Sequence, residues 1–306
     1  MNDELHRTAL EDLGVLRIAG ADAGRFLQGQ LSNDMTRLGP ERALLAGLHT
    51  PQGRTVALLR LLLRSDNELL ALLPRELTAP VSQRLAKYIL RAKVSLADLS
   101  AEWRVSALAT RAELEQGEPA GVLPHELPPP RTGAQRRLGE RLYLTVSEQP
   151  VRWLEIAARA GEPHAAHAAA REAWRLLDVR AALPQIYAAT SEQFVAQMLN
   201  LDVLGAIAFD KGCYTGQEVI ARAHYRGRVK RRAQRFLTRA ALALAPGESG
   251  VLPDGRVFTV VEAARRADGR CEFLAVAPLA ADESGAAGDA PLVQAEPLAM
   301  PYALPE

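Results

Sequence analysis

Short apolar runs and helical apolar spacing alternate irregularly along the first part of the chain. Apolar runs that end at Gly, Pro, Asn or Asp predict strands at 13–18, 43–48, 55–63, 68–73, 93–96 and 104–108. Apolar residues at helical spacing predict a helix that follows a capping Asp22, and a second helix at 76–90. Because strands and helices follow one another without a regular strand–helix–strand order, an α+β fold is favoured over a doubly wound sheet.

The second part of the chain adds a loop, a helix and a set of turn-bounded strands. Five prolines fall within 116–133, which predicts a surface loop. A strand is predicted at 141–146, and an Ala-rich helix that contains Trp174 is predicted at 164–177. Beyond residue 235, short apolar runs are separated by Pro-Gly and Asp-Gly turns, which is typical of a small antiparallel barrel or sandwich. We therefore expect two domains, 1–234 with two subdomains and 235–306.

Composition and charge exclude several classes of protein. Of the 306 residues, 48% are apolar and 24% are charged, which is ordinary for a soluble globular protein, and the net charge of +1 gives no general attraction to nucleic acid or membranes. Two cysteines, Cys213 and Cys271, are too few for a disulfide framework or for a complete zinc or iron–sulfur site. No signal peptide or membrane span is expected, so a cytoplasmic protein without its own metal is predicted.

The segment KGCYTGQE at 211–218 carries the clearest chemistry. Thr215 and Glu218 fit a Thr-x-x-Glu capping box, which predicts a helix that starts at Thr215. Cys213 would then lie just before a helix N-terminus and close to Lys211. The partial positive charge of the helix end and the ammonium of Lys211 would both favour the thiolate of Cys213. The alternative is that Cys213 is a small buried apolar residue.

Two glycines of this segment, Gly212 and Gly216, flank the predicted turn. Glycine is suited to left-handed backbone angles and to close contacts that a side chain would prevent. We expect both glycines to be required by the shape of the turn.

A basic run follows this segment, and no acidic residue lies between Glu218 and Glu248. Its members are Arg222, Arg226, Arg228, Lys230, Arg231, Arg232, Arg235 and Arg239. On an extended strand, four of them at 226, 228, 230 and 232 would share one face. Such a face is suited to a polyanion, either the glutamate tail of a folate or the phosphates of RNA, but it is equally compatible with a solvated strand.

Several segments together resemble the YgfZ family of folate-binding proteins. The strongest is KGCYTGQE at 211–218, followed by AR at 221–222 and YRG at 225–227; FLQGQLSND at 26–34 and QMLNL at 197–201 also match. The resemblance implies the α+β fold of the glycine-cleavage T-protein, an aminomethyltransferase. In that fold, two α+β parts surround a central folate-binding hollow, and a small C-terminal β-barrel follows.

The resemblance also implies ligand, partners and site residues. The ligand would be tetrahydrofolate or a derivative, and the clients would be iron–sulfur enzymes, including those that thiomethylate tRNA. Cys213 would be the functional thiol, with Lys211 beside it. Candidate folate contacts are Trp174, whose indole would stack on the pterin, and Leu13, Tyr214, Gln217, Glu218, Arg222 and Arg226. Trp174 is otherwise a core aromatic residue of an amphipathic helix.

Departures from the family pattern leave other functions open. Aminomethyltransferases carry an acidic pair where this chain has Val56 and Ala57, so glycine cleavage is not expected. Arg180 stands where T-proteins carry a pterin-binding glutamate, and Ala182 replaces a usual glycine. The alternatives to an accessory role in iron–sulfur cluster assembly or repair are a folate-dependent one-carbon transferase, and an RNA-binding module that contacts tRNA weakly through 222–239.

Overall fold

The structure is a computed structural model that describes residues 4–122, 124–159, 167–227, 229–280 and 289–305. Their contacts form two compact units. Unit 1 contains the residues up to Leu48, Ala57–Trp174 and Ala206–Thr215; unit 2 contains His49–Val56, Arg175–Gly205 and the residues from Gly216 onward. The domain boundary predicted between residues 234 and 235 stays a prediction. The two units are groups of residues in contact, and such groups need not fold independently.

Strands dominate the described residues. The first eleven are β1 Leu5–Ala9, β2 Leu13–Ala19, β3 Leu44–His49, β4 Thr55–Ser65, β5 Glu68–Pro74, β6 Ser95–Asp98, β7 Trp103–Thr110, β8 Glu118–Pro119, β9 Gln135–Leu138, β10 Arg141–Glu148 and β11 Val151–Ala158. The four α-helices are α1 Ala23–Gln28, α2 Arg75–Ala86, α3 Ala168–Arg180 and α4 Gln217–Arg226. None of these helices is both long and apolar enough to span a membrane.

Two sheets enclose the main core of unit 1. Sheet A has the order β3-β4-β5-β2-β6, and sheet B has the order β8-β1-β7-β11-β10-β9. Leu62 and Leu72 of sheet A lie in one apolar cluster with Leu154 and Ile156 of sheet B, and all four are almost completely buried. Burying such side chains contributes about 1.5–3 kcal/mol each relative to exposing them, so this cluster holds the two sheets together.

Three predicted segments differ from the structure at their edges or in their environment. The helix predicted at 76–90 ends at Ala86. The helix predicted at 164–177 starts at Ala168, and its predicted first residues up to 166, including His164, lie outside the described residues. The Pro-rich loop is not only a surface feature: Leu127 is buried, and the carbonyl of Pro128 accepts a hydrogen bond from the indole of Trp153.

Unit 2 contains a third sheet of five strands. They are β12 Arg231–Ala241, β13 Ser249–Val251, β14 Val257–Arg265, β15 Arg270–Pro278 and β16 Ala295–Leu298, in the order β13-β14-β15-β12-β16. The rings of Phe236 and Phe258 lie 5.4 Å and 5.3 Å from the ring of Phe273, and all three are fully buried. The predicted antiparallel sheet is confirmed. Since β13 and β16 are edge strands, the described strands do not show a closed barrel.

The basic run does not lie on a single extended strand, so the shared face considered for residues 226, 228, 230 and 232 is not formed. Arg222 and Arg226 belong to α4, Arg228 lies outside the described residues, and β12 begins only at Arg231. Arg232 is only 3% exposed, and its guanidinium donates two hydrogen bonds to the carboxylate of Asp202, at 3.0 and 2.9 Å. Sequence spacing failed here because the acid that neutralises the arginine comes from a distant segment.

Further contacts fix the buried guanidinium of Arg232. It also donates to the main-chain carbonyl of Gln197 and to the side-chain oxygen of Asn200. Asn200 in turn has a left-handed φ of 58°, which asparagine tolerates better than most residues, and its amide donates to the carbonyl of Ala233. The QMLNL segment therefore anchors the start of β12.

Removing the Arg232 side chain should destabilise the protein strongly. We expect Arg232→Ala to lower the free energy of unfolding by about 3–5 kcal/mol, because Asp202 would keep a charge without its partner inside the protein. Urea unfolding followed by circular dichroism measures this. Arg239→Ala, at an exposed position on the same strand, should change the free energy by no more than about 0.5 kcal/mol. Equal effects of the two substitutions would contradict a structural role for the pair.

Candidate functional site

The two strongest sequence motifs contact each other in unit 1. The ammonium group of Lys211 donates to the main-chain carbonyls of Gln28, Leu31 and Asn33, at 2.7, 2.7 and 2.9 Å. An ammonium has three N–H donors, so the three carbonyls use its full hydrogen-bonding capacity. Lys211 therefore fixes the 211–218 segment to the turn that follows α1.

Additional contacts reinforce this connection on both sides. The hydroxyl of Ser32 donates to the carbonyl of Ala206 at 2.7 Å, and the amide of Ala208 donates to the carbonyl of Ser32. Arg37 and Asp210 form an exposed ion pair at 2.6 Å. An exposed ion pair contributes little to stability, about 0–1 kcal/mol. The hydrogen bonds therefore contribute most of the free energy that stabilises this contact.

Burial and nearby charge set the titration of the anchoring lysine. Burial lowers the pKa of Lys211 to about 8, and the negative charge of Asp34 opposes that shift. Hydrogen bonds from Thr36 hold the pKa of Asp34 below its ordinary value, so its carboxylate is charged at neutral pH. The Lys211 nitrogen also lies 5.0 Å from the ring centroid of Tyr214, whose pKa burial raises to about 12.

Cys213 is exposed, whereas Cys271 is buried in unit 2. The alternative that Cys213 is a small buried apolar residue is therefore wrong. The thiol lies two residues after the lysine that anchors its segment and one residue before the buried Tyr214. Cys213 is thus held between two fixed positions while its side chain stays accessible to other molecules.

The predicted capping box is not formed. Helix α4 begins at Gln217, two residues later than expected, and its N-cap is Gly216, so no side chain supplies a cap hydrogen bond. Thr215 therefore precedes the helix, and Glu218 lies in its first turn. The sequence predicted a cap at Thr215, but Gly216, with its left-handed backbone, is the N-cap and the helix begins at Gln217.

The two motif glycines differ in their need for glycine. Gly216 has a φ of 84°, and a Cβ there would lie 2.5 Å from the carbonyl oxygen of Thr50, so any side chain would clash. A Cβ at Gly212 would meet no atom within 4 Å. The expectation is confirmed for Gly216, but the structure gives no steric reason for glycine at residue 212.

Trp174 and Leu13 belong to the same apolar cluster of unit 1. Trp174 is 5% exposed, and Leu13 packs against the cluster as a half-buried residue. The guanidinium carbon of the fully buried Arg152 lies 4.5 Å from the indole centroid of Trp174. A cation over an indole face is a favourable arrangement, and it occupies one of the two faces on which a flat ligand could stack.

The other candidate contacts lie along α4 in unit 2. Gln217 is half-buried, while Glu218, Arg222 and Arg226 are exposed. The exposed residues repeat at four-residue intervals and share the outer face of the helix. Among the residues that the structure describes, no group of three or more His, Cys, Asp or Glu side chains is placed to hold a metal ion.

The positions that depart from the aminomethyltransferase pattern have local structural reasons. Val56 and Ala57 are buried apolar residues on β4. Arg180 donates to the buried carboxylate of Glu272 at 2.9 Å. Ala182 has a left-handed φ of 48°, which explains why glycine is usual there, because alanine pays about 1–2 kcal/mol in that conformation.

Comparison with known proteins settles the family. No family model matches the chain. The tRNA-modifying protein YgfZ of Enterobacter sp. (strain 638) is 33% identical over 278 residues, which cover 86% of this chain and 82% of that protein. The YgfZ of Escherichia coli (strain K12 / DH10B) is 32% identical over 277 residues, with 85% and 82% coverage. The chain belongs to the YgfZ family.

The fold of this YgfZ-family chain is that of an aminomethyltransferase. The glycine cleavage system aminomethyltransferase T of Bartonella henselae superposes with a TM-score of 0.66, covering 91% of this chain and 79% of that protein. The sequence identity is only 13%, so the likeness concerns the fold alone. The T-protein-like fold expected from the sequence resemblance is confirmed.

Sequence reasoning missed two kinds of partner in this YgfZ-family chain. The carbonyls that bind Lys211 are main-chain groups, and main-chain acceptors leave no trace in the residue types. Arg152 was missed although a signal existed: an arginine stands within an otherwise largely buried strand, β11. A charged residue at such a position indicates a specific interaction inside the protein.

Replacing Lys211 should loosen the turn that it anchors. We expect Lys211→Met, which keeps the length of the side chain, to lower the free energy of unfolding by about 1–3 kcal/mol because three carbonyls lose their donor. Hydrogen exchange of the amides at 28–36 should become faster, as measured by mass spectrometry. Lys87→Met, on an exposed lysine outside both motifs, is the control. Unchanged exchange at 28–36 would show that the three hydrogen bonds do not hold the turn.

Proposed function

We propose that this chain is a cytoplasmic, folate-binding accessory protein that supports the assembly or repair of iron–sulfur enzymes, among them enzymes that modify tRNA. The observation that carries the proposal is an exposed thiol in a fixed segment: Cys213 is accessible, and Lys211 ties its neighbours to three carbonyls. The thiol of a cysteine in this position can reach a partner protein without a large rearrangement of its own segment.

Membership of the family supports the link to tRNA modification, because the relatives are named tRNA-modifying proteins. The aminomethyltransferase T-like fold supports folate as the ligand. The family resemblance places Trp174 at the pterin. Because the indole is only 5% exposed and Arg152 lies over one face, folate would have to reach the other face. Tyr214, Gln217 and Glu218 remain candidate folate contacts.

A folate-dependent one-carbon transferase is less well supported. That reaction needs a carboxylate to orient or deprotonate the reacting amine. The corresponding residues, Val56 and Ala57, are apolar and buried. The accessory role does not require a carboxylate at that position. The chain therefore fits the accessory role better than the transferase reaction.

The two cysteines allow a matched test of the thiol. In cells that lack the native protein, Cys213→Ala should restore less than about a tenth of the iron–sulfur enzyme activity that the unchanged chain restores, because the reacting group itself is absent. The activity of a tRNA-thiomethylating enzyme, read as the level of the modified nucleoside, is the measurement.

Cys271→Ala is the control, because it removes a thiol that lies in the core of unit 2. It should restore activity fully at equal protein level. Full activity with Cys213→Ala would remove the thiol from the mechanism. Immunoblots of both variants separate a loss of function from a loss of protein.

Folate binding can be tested by tryptophan fluorescence. Adding tetrahydrofolate to the purified protein should quench the fluorescence, and most of the quenching should vanish in Trp174→Phe. Trp174→Leu should lower the affinity by about two- to tenfold, because the stacking contribution of an aromatic pair is lost.

Trp153→Phe is the matched control, since Trp153 is also buried but belongs to a different apolar cluster of unit 1. Tetrahydrofolate should still quench the fluorescence of the Trp153→Phe variant. If quenching disappeared in Trp153→Phe and persisted in Trp174→Phe, the assignment of the pterin contact would be wrong.

A further inference from the structure

A cleft of about 300 Å³ lies in unit 2 beside the last turn of α4. It is lined by apolar groups, among them Val203 and Val229, and by the polar side chains of Gln197 and His224. Asp202 and Arg232 also line it, but they are bound to each other at 2.9 Å. Because this pair is neutralised internally, the cleft suits an uncharged molecule with hydrogen-bonding edges better than a free anion.

An aromatic surface adjoins the cleft. Tyr225 is 67% exposed, which is unusual for so large an aromatic side chain. Its ring stands edge-on to that of His224, with the centroids 4.7 Å apart and an angle of 77° between the planes. Since His224 also lines the cleft, the ring of the exposed tyrosine contacts a residue of the cleft wall.

Positive charge borders the same aromatic residue. Arg222 and Arg226 are exposed: Arg222 lies three residues before Tyr225, where the two side chains are neighbours on the helix surface, and Arg226 follows Tyr225 directly. Exposed Lys230 follows shortly after the helix. Within α4 itself the acidic residue is Glu218, a full turn before Arg222. The balance of charge on the C-terminal half of the helix is therefore positive.

We propose that this surface binds a single-stranded segment of RNA. One base stacks on Tyr225, a neighbouring base enters the cleft beside His224, and Arg222 and Arg226 contact the phosphates. An exposed aromatic ring can stack only on a base that is not already stacked in a duplex, and arginines next to it neutralise the backbone. The neutral, partly polar cleft is compatible with the edge of a heterocyclic base.

This inference goes beyond the proposed function, because it requires neither folate nor the thiol of Cys213. It also favours one of the two polyanions that the basic run left open. A folate tail carries carboxylates but only one heterocycle, whereas RNA supplies both a flat base for Tyr225 and phosphates for the arginines. The aromatic residue therefore favours RNA on this face.

Fluorescence anisotropy with a short labelled single-stranded RNA, the same sequence annealed into a duplex, and whole tRNA tests the proposal. The unchanged protein should bind the single strand and the tRNA more tightly than the duplex. Tyr225→Ala should weaken binding to the single strand at least about fivefold, whereas Tyr225→Phe should bind like the unchanged protein, because phenylalanine keeps the stacking surface.

The arginines and the cleft have separate readouts. Arg222→Gln and Arg226→Gln should each reduce the slope of log affinity against log salt by about 0.7, since each removes one phosphate contact on a single strand. Ala223→Leu, which places a larger side chain at the wall of the cleft, should weaken binding and leave this slope unchanged. Thermal unfolding of each variant confirms that it is folded.

Tyr88→Ala and Arg91→Gln are matched controls, since both residues are exposed and lie in another segment, in unit 1. They should bind RNA like the unchanged protein. Weaker binding in Tyr88→Ala but not in Tyr225→Ala would place the surface elsewhere. Equal affinity for duplex and single strand would overturn the stacking.

Two further outcomes would also overturn the proposal. One is the absence of RNA binding at low salt, which would leave α4 to a protein partner. The other is a loss of tetrahydrofolate affinity in Arg222→Gln and Arg226→Gln without a loss of RNA affinity. Cys213→Ala should bind RNA normally, so failure of this proposal and failure of the proposed function are distinguishable.

Discussion

One half-buried ammonium group connects the signature segment to the turn after α1. Lys211 reaches three main-chain carbonyls that lie 178 to 183 residues earlier in the chain and donates a hydrogen bond to each of them. Only a residue with several donors on a flexible stem can meet three carbonyls at once. Cys213 lies between this lysine and the buried Tyr214, and its own side chain is exposed.

Charge in this protein is balanced across long distances in sequence. The basic run has no acid within it, yet Arg232 pairs with Asp202, and Glu272 receives both Arg180 and Arg235. These arginines are therefore structural, since breaking a buried pair leaves an uncompensated charge. The exposed basic residues that the structure describes in this run are Arg222, Arg226, Lys230 and Arg239, and the first two lie on α4 beside an exposed aromatic ring.

The departures from the aminomethyltransferase pattern show how a fold can be kept while its chemistry changes. Ala182 accepts a left-handed backbone that glycine would adopt at lower cost, and its carbonyl receives the hydroxyl of Tyr302. Arg180 meets an ion-pair partner, Glu272, within unit 2. Both residues therefore have contacts within unit 2 that account for their presence in this chain.

The sequence by itself predicted seven of the sixteen described strands individually, the α+β class and the family, because apolar patterns are local and the signature segment is long. It missed β1, β8, β9 and β11, and the order of the strands within the sheets came only from the structure. The sequence also located the thiol. Only the tertiary structure decided that Lys211 binds carbonyls, that α4 starts at Gln217 rather than Thr215, and that Arg232 is buried against an acid. The physical reason is the same in each case: main-chain acceptors, the backbone angle of Gly216 and charges from distant segments are set by how the chain folds, and residue types within a short window do not record them.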